Sequence, residues 1–139
     1  MARGRVLMVD DDVDFSDAVK LTLEAAGYEV LTANSATQAM AALGEQTVDV
    51  AILDMMMEEP DAGARVAHQL RRRPELAQVP VILVTSVTEK TGFRVEMQRP
   101  EEREWLGVDV WLDKPVDPAE LLEEIESLTQ ERAERAPEA

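Results

Sequence analysis

Five short runs of apolar residues, separated by longer segments with helical periodicity, constrain the fold of this chain more than any other feature. The runs cover residues 6–9, 28–33, 48–53, 80–85 and 108–112. Continuous apolar runs of this length are typical of strands that are buried on both faces of a sheet. Strands that alternate with helices predict parallel pairing through right-handed crossovers. We therefore expect an α/β fold with a doubly wound, five-stranded parallel sheet.

Residues with strong preferences for helix ends mark where the predicted helices begin and end. Gly27 follows the first helical period, and glycine is common just beyond the end of a helix. Ser35 and Gln38 have the spacing of a capping box. Asp117 precedes a proline at the first position of the last helix, a favourable N-terminal pattern. A further helix is expected over residues 62–73, and its three final arginines would interact favourably with the negative helix end.

The composition excludes several classes of protein. Fourteen basic against 29 acidic residues give a formal net charge of −15, which argues against nucleic-acid binding through a generally basic surface. The absence of cysteine excludes a disulfide scaffold and a Cys-based zinc site, and the single histidine, His68, excludes a His-rich metal centre. No apolar run approaches the roughly 20 residues that span a bilayer, and the N-terminus lacks a signal-peptide pattern. We therefore expect a cytoplasmic protein that binds neither nucleic acid nor membrane.

The length of the chain indicates one domain. A chain of 139 residues can bury a sizeable core in a single unit. We expect residues 1–130 to form this domain. Residues 131–139 are rich in Ala, Glu and Arg, and we expect them to be a frayed or disordered acidic tail.

Polar residues stand at the ends of four of the predicted strands. They are Asp10, Asp11 and Asp12 after the first run, Asp54 after the third, Thr85 at the end of the fourth and Lys114 after the fifth. In open parallel sheets the site lies beyond the carboxyl ends of the strands, so we expect these residues to lie close together. Clustered carboxylates repel one another unless a cation lies between them, and oxygen ligands with open positions suit Mg²⁺. A carboxylate nucleophile, a metal ion, an ammonium group and a hydroxyl around one point predict a phosphoryl-transfer site.

The same strand-end segments carry a family resemblance that covers residues from about 5 to 130. The segments are Val-Leu-Met-Val-Asp-Asp-Asp at 6–12, Val-Ala-Ile-Leu-Asp at 50–54, Val-Ile-Leu-Val-Thr-Ser at 81–86 and Trp-Leu-Asp-Lys-Pro at 111–115. In this order, each at a strand end, they resemble the receiver domain of a response regulator in bacterial two-component signalling. The resemblance implies a flavodoxin-like sheet with strand order 2-1-3-4-5. It also implies that Asp54 accepts a phosphoryl group from a histidine kinase or a phosphotransfer protein.

The resemblance further implies a ligand set for Mg²⁺. Asp11 would bind the ion directly and Asp10 would assist through water. Asp54 and the backbone carbonyl of Met56 would be further ligands. The cofactor expected for this chain is therefore Mg²⁺.

Three more roles follow from the resemblance. Lys114 would pair with Asp54 and then with the phosphoryl group, and Thr85 would move to hydrogen-bond a phosphoryl oxygen. Trp111 occupies the position of the switch aromatic residue, where receivers usually have Tyr or Phe, so it is either a moving switch or a fixed core residue. Trp105 is either a plug over the core or an anchor for a partner.

Two segments depart from the usual receiver pattern. The loop after Asp54 carries at least one extra residue, and Glu58 and Glu59 add negative charge that assists Mg²⁺, slows an anionic donor or is simply solvated. Residues 86–113 number 28, several more than receivers usually have. A helix within residues 87–106 would therefore be short or irregular, which indicates a specialised partner or a disabled switch.

Three functions are compatible with these patterns. The first is a stand-alone receiver that signals by phosphorylation-dependent protein binding or as a phosphorelay carrier, without catalysis beyond its own phosphoryl transfer and dephosphorylation. The second is a receiver-like interaction module that works without phosphorylation. The third is a phosphatase of the haloacid dehalogenase type, which needs a second Asp two residues after the nucleophile, where this chain has Met56. His68 is interpreted as a surface residue rather than a phosphorelay histidine.

Overall fold

A computed structural model describes residues 4–44, 46–54, 62–85, 109–113 and 116–135. The five strands are β1 (Arg5–Val9), β2 (Glu29–Ala33), β3 (Val50–Asp54), β4 (Val81–Thr85) and β5 (Val110–Asp113). The helices are α1 (Val13–Ala25), α2 (Ala36–Leu43), α3 (Ala62–Arg72) and α4 (Pro118–Arg135), with a short 3₁₀ turn at Pro74–Leu76. The predicted helix within residues 87–106 lies outside the described residues, as does Trp105.

The strands form one parallel sheet in the order β2-β1-β3-β4-β5. This order confirms the predicted doubly wound, flavodoxin-like fold. β1 lies second in the sheet, with β2 at the edge on one side and β3, β4 and β5 following in order on the other. The strand order reverses between β1 and β3, and a ligand site is expected beside this point, beyond the carboxyl ends of the strands.

The core has two layers, one on each face of the sheet. In β1, Val6 and Met8 belong to one cluster of buried residues, whereas Leu7 and Val9 belong to the other. The first cluster also contains buried residues of α1 and α4, and the second contains buried residues of α2 and α3. Successive side chains of a strand point to opposite faces, so helices on both faces require an unbroken apolar run.

Helix caps predicted from the sequence are present. The Ser35 hydroxyl accepts a hydrogen bond from the Gln38 N–H at 3.1 Å, and the Gln38 side chain accepts one from the Asn34 N–H at 3.0 Å. The Asp117 carboxylate accepts from the Ala119 N–H at 2.9 Å. Gly27 has a φ of 100°, a left-handed conformation that a glycine adopts without steric cost.

Two aspartates that interrupt apolar sequence each bind the first residue of a neighbouring strand. The Asp49 carboxylate accepts from the Arg5 N–H at 2.8 Å while its own N–H donates to the Arg5 carbonyl at 2.7 Å. Likewise, the Asp109 carboxylate accepts from the Val81 N–H at 2.8 Å, and the Asp109 N–H donates to the Val81 carbonyl at 2.9 Å. Each aspartate therefore satisfies both backbone groups of a strand's first residue, where the ladder would otherwise leave an unpaired donor. β3 and β5 begin one residue after these aspartates, later than predicted.

The arginines near the end of α3 were predicted to interact with the negative end of their own helix. Two of them instead bind specific partners elsewhere in the fold. The Arg71 guanidinium donates to the carbonyls of Ala77 and Val79, at 3.2 and 2.6 Å, and forms an ion pair with Asp109 at 3.4 Å. Burial lowers the pKa of Arg71 from its ordinary value, and the charge of Asp109 partly offsets this effect. Arg73 donates to the Gly44 carbonyl at 2.8 Å, at the end of α2.

We expect Arg71→Lys to lower the free energy of unfolding by about 1–2 kcal/mol. A lysine ammonium cannot reproduce a planar fork that reaches backbone carbonyls and a carboxylate together. Chemical denaturation followed by circular dichroism measures the change. Arg72→Lys is the matched control, because Arg72 is the next residue and is exposed, and its effect should stay within about 0.5 kcal/mol. Equal effects of the two substitutions would contradict a specific role for Arg71.

The last helix is longer than predicted. α4 continues to Arg135, so the boundary placed at residue 130 falls inside a helix, and residues 136–139 lie outside the described residues. Ala, Glu and Arg, which dominate residues 131–135, are strong helix formers and extend a helix that is already anchored by its buried face. Among the described residues, no helix is long and apolar enough to cross a membrane.

Candidate functional site

Two buried aspartates lie side by side at the carboxyl ends of the adjacent strands β1 and β3. Val9 of β1 pairs with Leu53 of β3, so the residues that follow them, Asp10 and Asp54, are neighbours at the edge of the sheet. Asp10 is fully buried and Asp54 is only 5% exposed. Carboxylates are rarely buried without a compensating partner, so this pair is unusual among the core residues.

Asp11 completes a group of three carboxylates. Each of Asp10, Asp11 and Asp54 offers an oxygen that lies within 4.8 Å of the other two, and Asp11 is exposed while the other two are buried. Three like charges at this separation repel one another, and a cation between them would relieve the repulsion. The donor set contains only oxygen and approaches solvent on one side, which fits Mg²⁺ with several of its waters retained. We infer that the residues present are suited to hold this ion.

The segment that carries Asp10 and Asp11 is held by hydrogen bonds from three directions. The Asp10 N–H donates to the Ala33 carbonyl at 3.1 Å, which extends the β1–β2 ladder by one bond. The Asn34 side-chain amide donates to the Asp10 carbonyl at 3.1 Å. The Asp12 N–H donates to the Asp10 carboxylate at 2.8 Å. These contacts fix the backbone and the buried carboxylate of Asp10 before any ligand arrives.

Asp12 has a different role from the two aspartates before it. It is the N-cap of α1, and its carboxylate accepts from the Phe15 N–H at 3.1 Å. All three aspartates follow the first predicted strand, although only Asp10 and Asp11 belong to the carboxylate group. An Asp directly before a helical apolar period was a usable signal for a cap. No sequence signal marked Asn34, because its role depends on the pairing of β1 with β2.

The other predicted site residues are placed in part. Thr85 is the last residue of β4 and pairs with Asp113 of β5. Asp113 directly precedes Lys114, the predicted phosphoryl contact. Trp111 pairs with Leu83 in the same ladder. The side chains of Thr85 and Trp111 lie outside the described part of the structure, and so do Met56 and Lys114. Their roles as switch, ligand and phosphoryl contact therefore stay predictions.

His68 is exposed on α3. α3 packs against the sheet through Val66, Ala67 and Leu70, which are all fully buried. The exposed position agrees with the interpretation of His68 as a surface residue.

The sequence and the fold match those of known proteins. The family model of the response regulator receiver domain matches residues 6–126. The chain therefore belongs to the response regulator receiver domain family. This confirms the resemblance seen in the strand-end motifs and places the chain in two-component signal transduction.

Two curated relatives that match this chain are transcriptional regulators. The DNA-binding dual master transcriptional regulator RpaA of Synechocystis sp. is 33% identical over 97% of the chain, but that match covers only 52% of the regulator. The transcriptional regulatory protein GltR of Pseudomonas aeruginosa is 31% identical over 91% of the chain and 50% of its own length. The chain thus spans about half the length of these curated relatives.

Solved structures match over almost their whole length. A CheY-like response regulator receiver domain protein from Methanospirillum hungatei superposes with a TM-score of 0.76, at 26% identity, over 95% of this chain and 98% of the other. The chemotaxis response regulator CheY4 of Vibrio cholerae superposes with a TM-score of 0.74, at 30% identity, over 92% of this chain and 98% of the other.

Proposed function

We propose that this chain accepts a phosphoryl group on Asp54 from a histidine kinase or a phosphotransfer protein, with Mg²⁺ as cofactor. The observation that carries the proposal is the group of Asp10, Asp11 and Asp54, whose oxygens lie within 4.8 Å of one another at the carboxyl edge of the sheet. Membership of the receiver family supports the same assignment. We assign the acceptor to Asp54, the last residue of β3, which pairs with Val84 of β4, because the resemblance of the strand-end motifs gives this residue that role.

The residues divide the chemistry of transfer among them. A carboxylate oxygen of Asp54 attacks the phosphorus of a phosphohistidine, the new P–O bond forms as the P–N bond breaks, and the donor imidazole leaves. Bound Mg²⁺ would offset the negative charge of the incoming group. Asp10 and Asp11 would hold the ion next to Asp54 and would not themselves react. We assign to Lys114 and Thr85 the contacts to the transferred phosphoryl oxygens.

Phosphorylation would then act as a signal. The added charge at Asp54 draws Thr85 and Lys114 inward and shifts a pre-existing equilibrium between two conformations. We propose that the shifted state binds a downstream protein or passes the phosphoryl group on. The only reactions that we assign to the chain are its own phosphorylation and dephosphorylation.

We also propose that this receiver domain signals through another protein and does not itself contact DNA. One support is the match to the chemotaxis response regulator CheY4, which is 30% identical to this chain. The curated relatives RpaA and GltR are named as DNA-binding or transcriptional regulators and are about twice as long as the match. The formal charge of −15 also disfavours direct contact with phosphate groups.

The test is phosphorylation by a small-molecule donor. The purified chain is incubated with acetyl phosphate, with Mg²⁺ or with EDTA, and its intact mass is measured over time. We expect a gain of one phosphoryl group that requires Mg²⁺ and is lost on treatment with hydroxylamine, which cleaves acyl phosphates. If neither acetyl phosphate nor a panel of histidine kinases labels the chain, the phosphorylation-independent interaction module replaces this proposal.

A further inference from the structure

We propose that Asn34 is a positioning residue for the Mg²⁺ site, and that its side-chain amide holds the peptide unit between Asp10 and Asp11 in the orientation the ion requires. The inference rests on the proposed function, since it concerns the same carboxylate group. Asn34 lies in the loop between β2 and α2, which supplies neither a strand-end motif nor a predicted metal ligand.

The contact joins two segments that are distant in sequence. The Asn34 Nδ2 donates to the Asp10 carbonyl at 3.1 Å. That carbonyl belongs to the peptide whose N–H is on Asp11, so the hydrogen bond restrains the plane of the Asp10–Asp11 peptide. Asp11 is the one exposed member of the carboxylate group. Packing does not position an exposed side chain, so the backbone, which sets the direction of the Asp11 Cα–Cβ bond, is the part that can be pre-arranged. Asn34 restrains the peptide that precedes Asp11.

Asn34 is itself held by α2. Its N–H donates to the Gln38 side-chain carbonyl at 3.0 Å, and the Gln38 N–H donates to the Ser35 hydroxyl at 3.1 Å. The residue before it, Ala33, accepts the Asp10 N–H at 3.1 Å. The capping box at the start of α2 thus supports Asn34, and Asn34 supports the peptide that carries the metal ligands.

The expected consequence is selective for the type of cation. Mg²⁺ demands near-ideal octahedral geometry at short distances, whereas Ca²⁺ accepts irregular sets of oxygen ligands at longer distances. Without the Asn34 hydrogen bond the Asp10–Asp11 peptide is less restrained, and a small displacement of Asp11 would penalise Mg²⁺ more than Ca²⁺. Asn34 is exposed, so its removal leaves no cavity in the core.

The test compares the affinity of two variants for both cations by isothermal titration calorimetry. For Asn34→Ala we expect Mg²⁺ binding to weaken by about tenfold, the lower end of the range for groups that support metal ligands. We expect Ca²⁺ binding to weaken by roughly twofold, so the ratio of the Mg²⁺ to the Ca²⁺ association constant falls about fivefold. Gln46→Ala is the matched control, because the Gln46 amide also donates to a backbone carbonyl, that of Ala42 at 3.2 Å, at the far end of α2. This control should leave both affinities unchanged.

A second variant tests the support from α2 without altering the Asn34 side chain. Gln38→Ala removes the acceptor for the Asn34 N–H, and we expect the cation ratio to change in the same direction by a smaller factor. If Asn34→Ala weakens both cations equally, or neither, the positioning role is wrong. If the unaltered chain binds no Mg²⁺ at all, the proposed function loses its metal site and this inference falls with it. The two failures are therefore distinguishable.

Discussion

Replacing Asp54 by asparagine is expected to abolish phosphorylation of the chain by acetyl phosphate or by a cognate kinase. An amide oxygen is a far weaker nucleophile than a carboxylate, and Asp54 is the carboxylate of the group that β3 presents at the centre of the sheet. The intact mass of Asp54→Asn should show no phosphoryl group at times when the unaltered chain is fully labelled.

The same variant has a second readout that does not depend on phosphorylation. Removing one of three carboxylates whose oxygens lie within 4.8 Å relieves repulsion, so without Mg²⁺ we expect the free energy of unfolding to rise by about 1–2 kcal/mol. Added Mg²⁺ should then stabilise the variant less than the unaltered chain.

Asp49→Asn is the control for the acceptor variant. Asp49 lies just before the other end of the same strand and is tied to the backbone of Arg5, so its removal should leave labelling intact. If Asp54→Asn still gains a phosphoryl group, the assignment of the acceptor is wrong. If Asp49→Asn loses labelling while it stays folded, the effect of Asp54→Asn is not specific to the site.

Replacing Asp11 by asparagine is expected to weaken Mg²⁺ binding on the order of 100-fold. Groups that only support a metal ligand typically contribute tenfold to 100-fold to affinity, and Asp11 is expected to bind the ion directly. Asp11 is the exposed member of the carboxylate group, so the substitution should leave the fold intact. Calorimetric titration with Mg²⁺ measures the change.

Asp12→Asn provides a control that removes the same charge from the adjacent residue. Asp12 caps α1 through the Phe15 N–H, and asparagine caps a helix about as well as aspartate. We expect its Mg²⁺ affinity to stay within about threefold of the unaltered chain, the residual effect of one charge at a distance. Comparable losses in both variants would mean that general negative charge, rather than coordination by Asp11, attracts the ion.

Much of the fold followed from local patterns. The apolar runs predicted the five strands because a strand covered on both faces must be apolar throughout, as Val6, Leu7, Met8 and Val9 are. The capping box at Ser35 was predictable because its two hydrogen bonds lie within one turn of chain. The strand ends also indicated where the site would be, since all carboxyl ends of a parallel sheet lie at one edge.

Other features depended on which strands pair. Asp49 and Asp109 interrupt apolar sequence, and each binds the first residue of the neighbouring strand. Arg71 resembled a charge at a helix end, yet it donates to carbonyls beyond the 3₁₀ turn and pairs with Asp109. These partners are distant in sequence, and no local pattern specifies them.

The sequence by itself determined the class of fold, the edge at which the site lies and the residue types that the site can use. The tertiary structure decided which aspartates belong to that site. Asp10, Asp11 and Asp54 form the carboxylate group, whereas Asp12, three residues before its partner Phe15, caps a helix. The physical reason is that the same carboxylate oxygens can accept a hydrogen bond from an N–H group or bind a cation, so the residue type alone does not decide the role. The role of each aspartate is therefore chosen by the register between strands, which brings Asp10 beside Asp54 and Asn34 within reach of the Asp10 carbonyl.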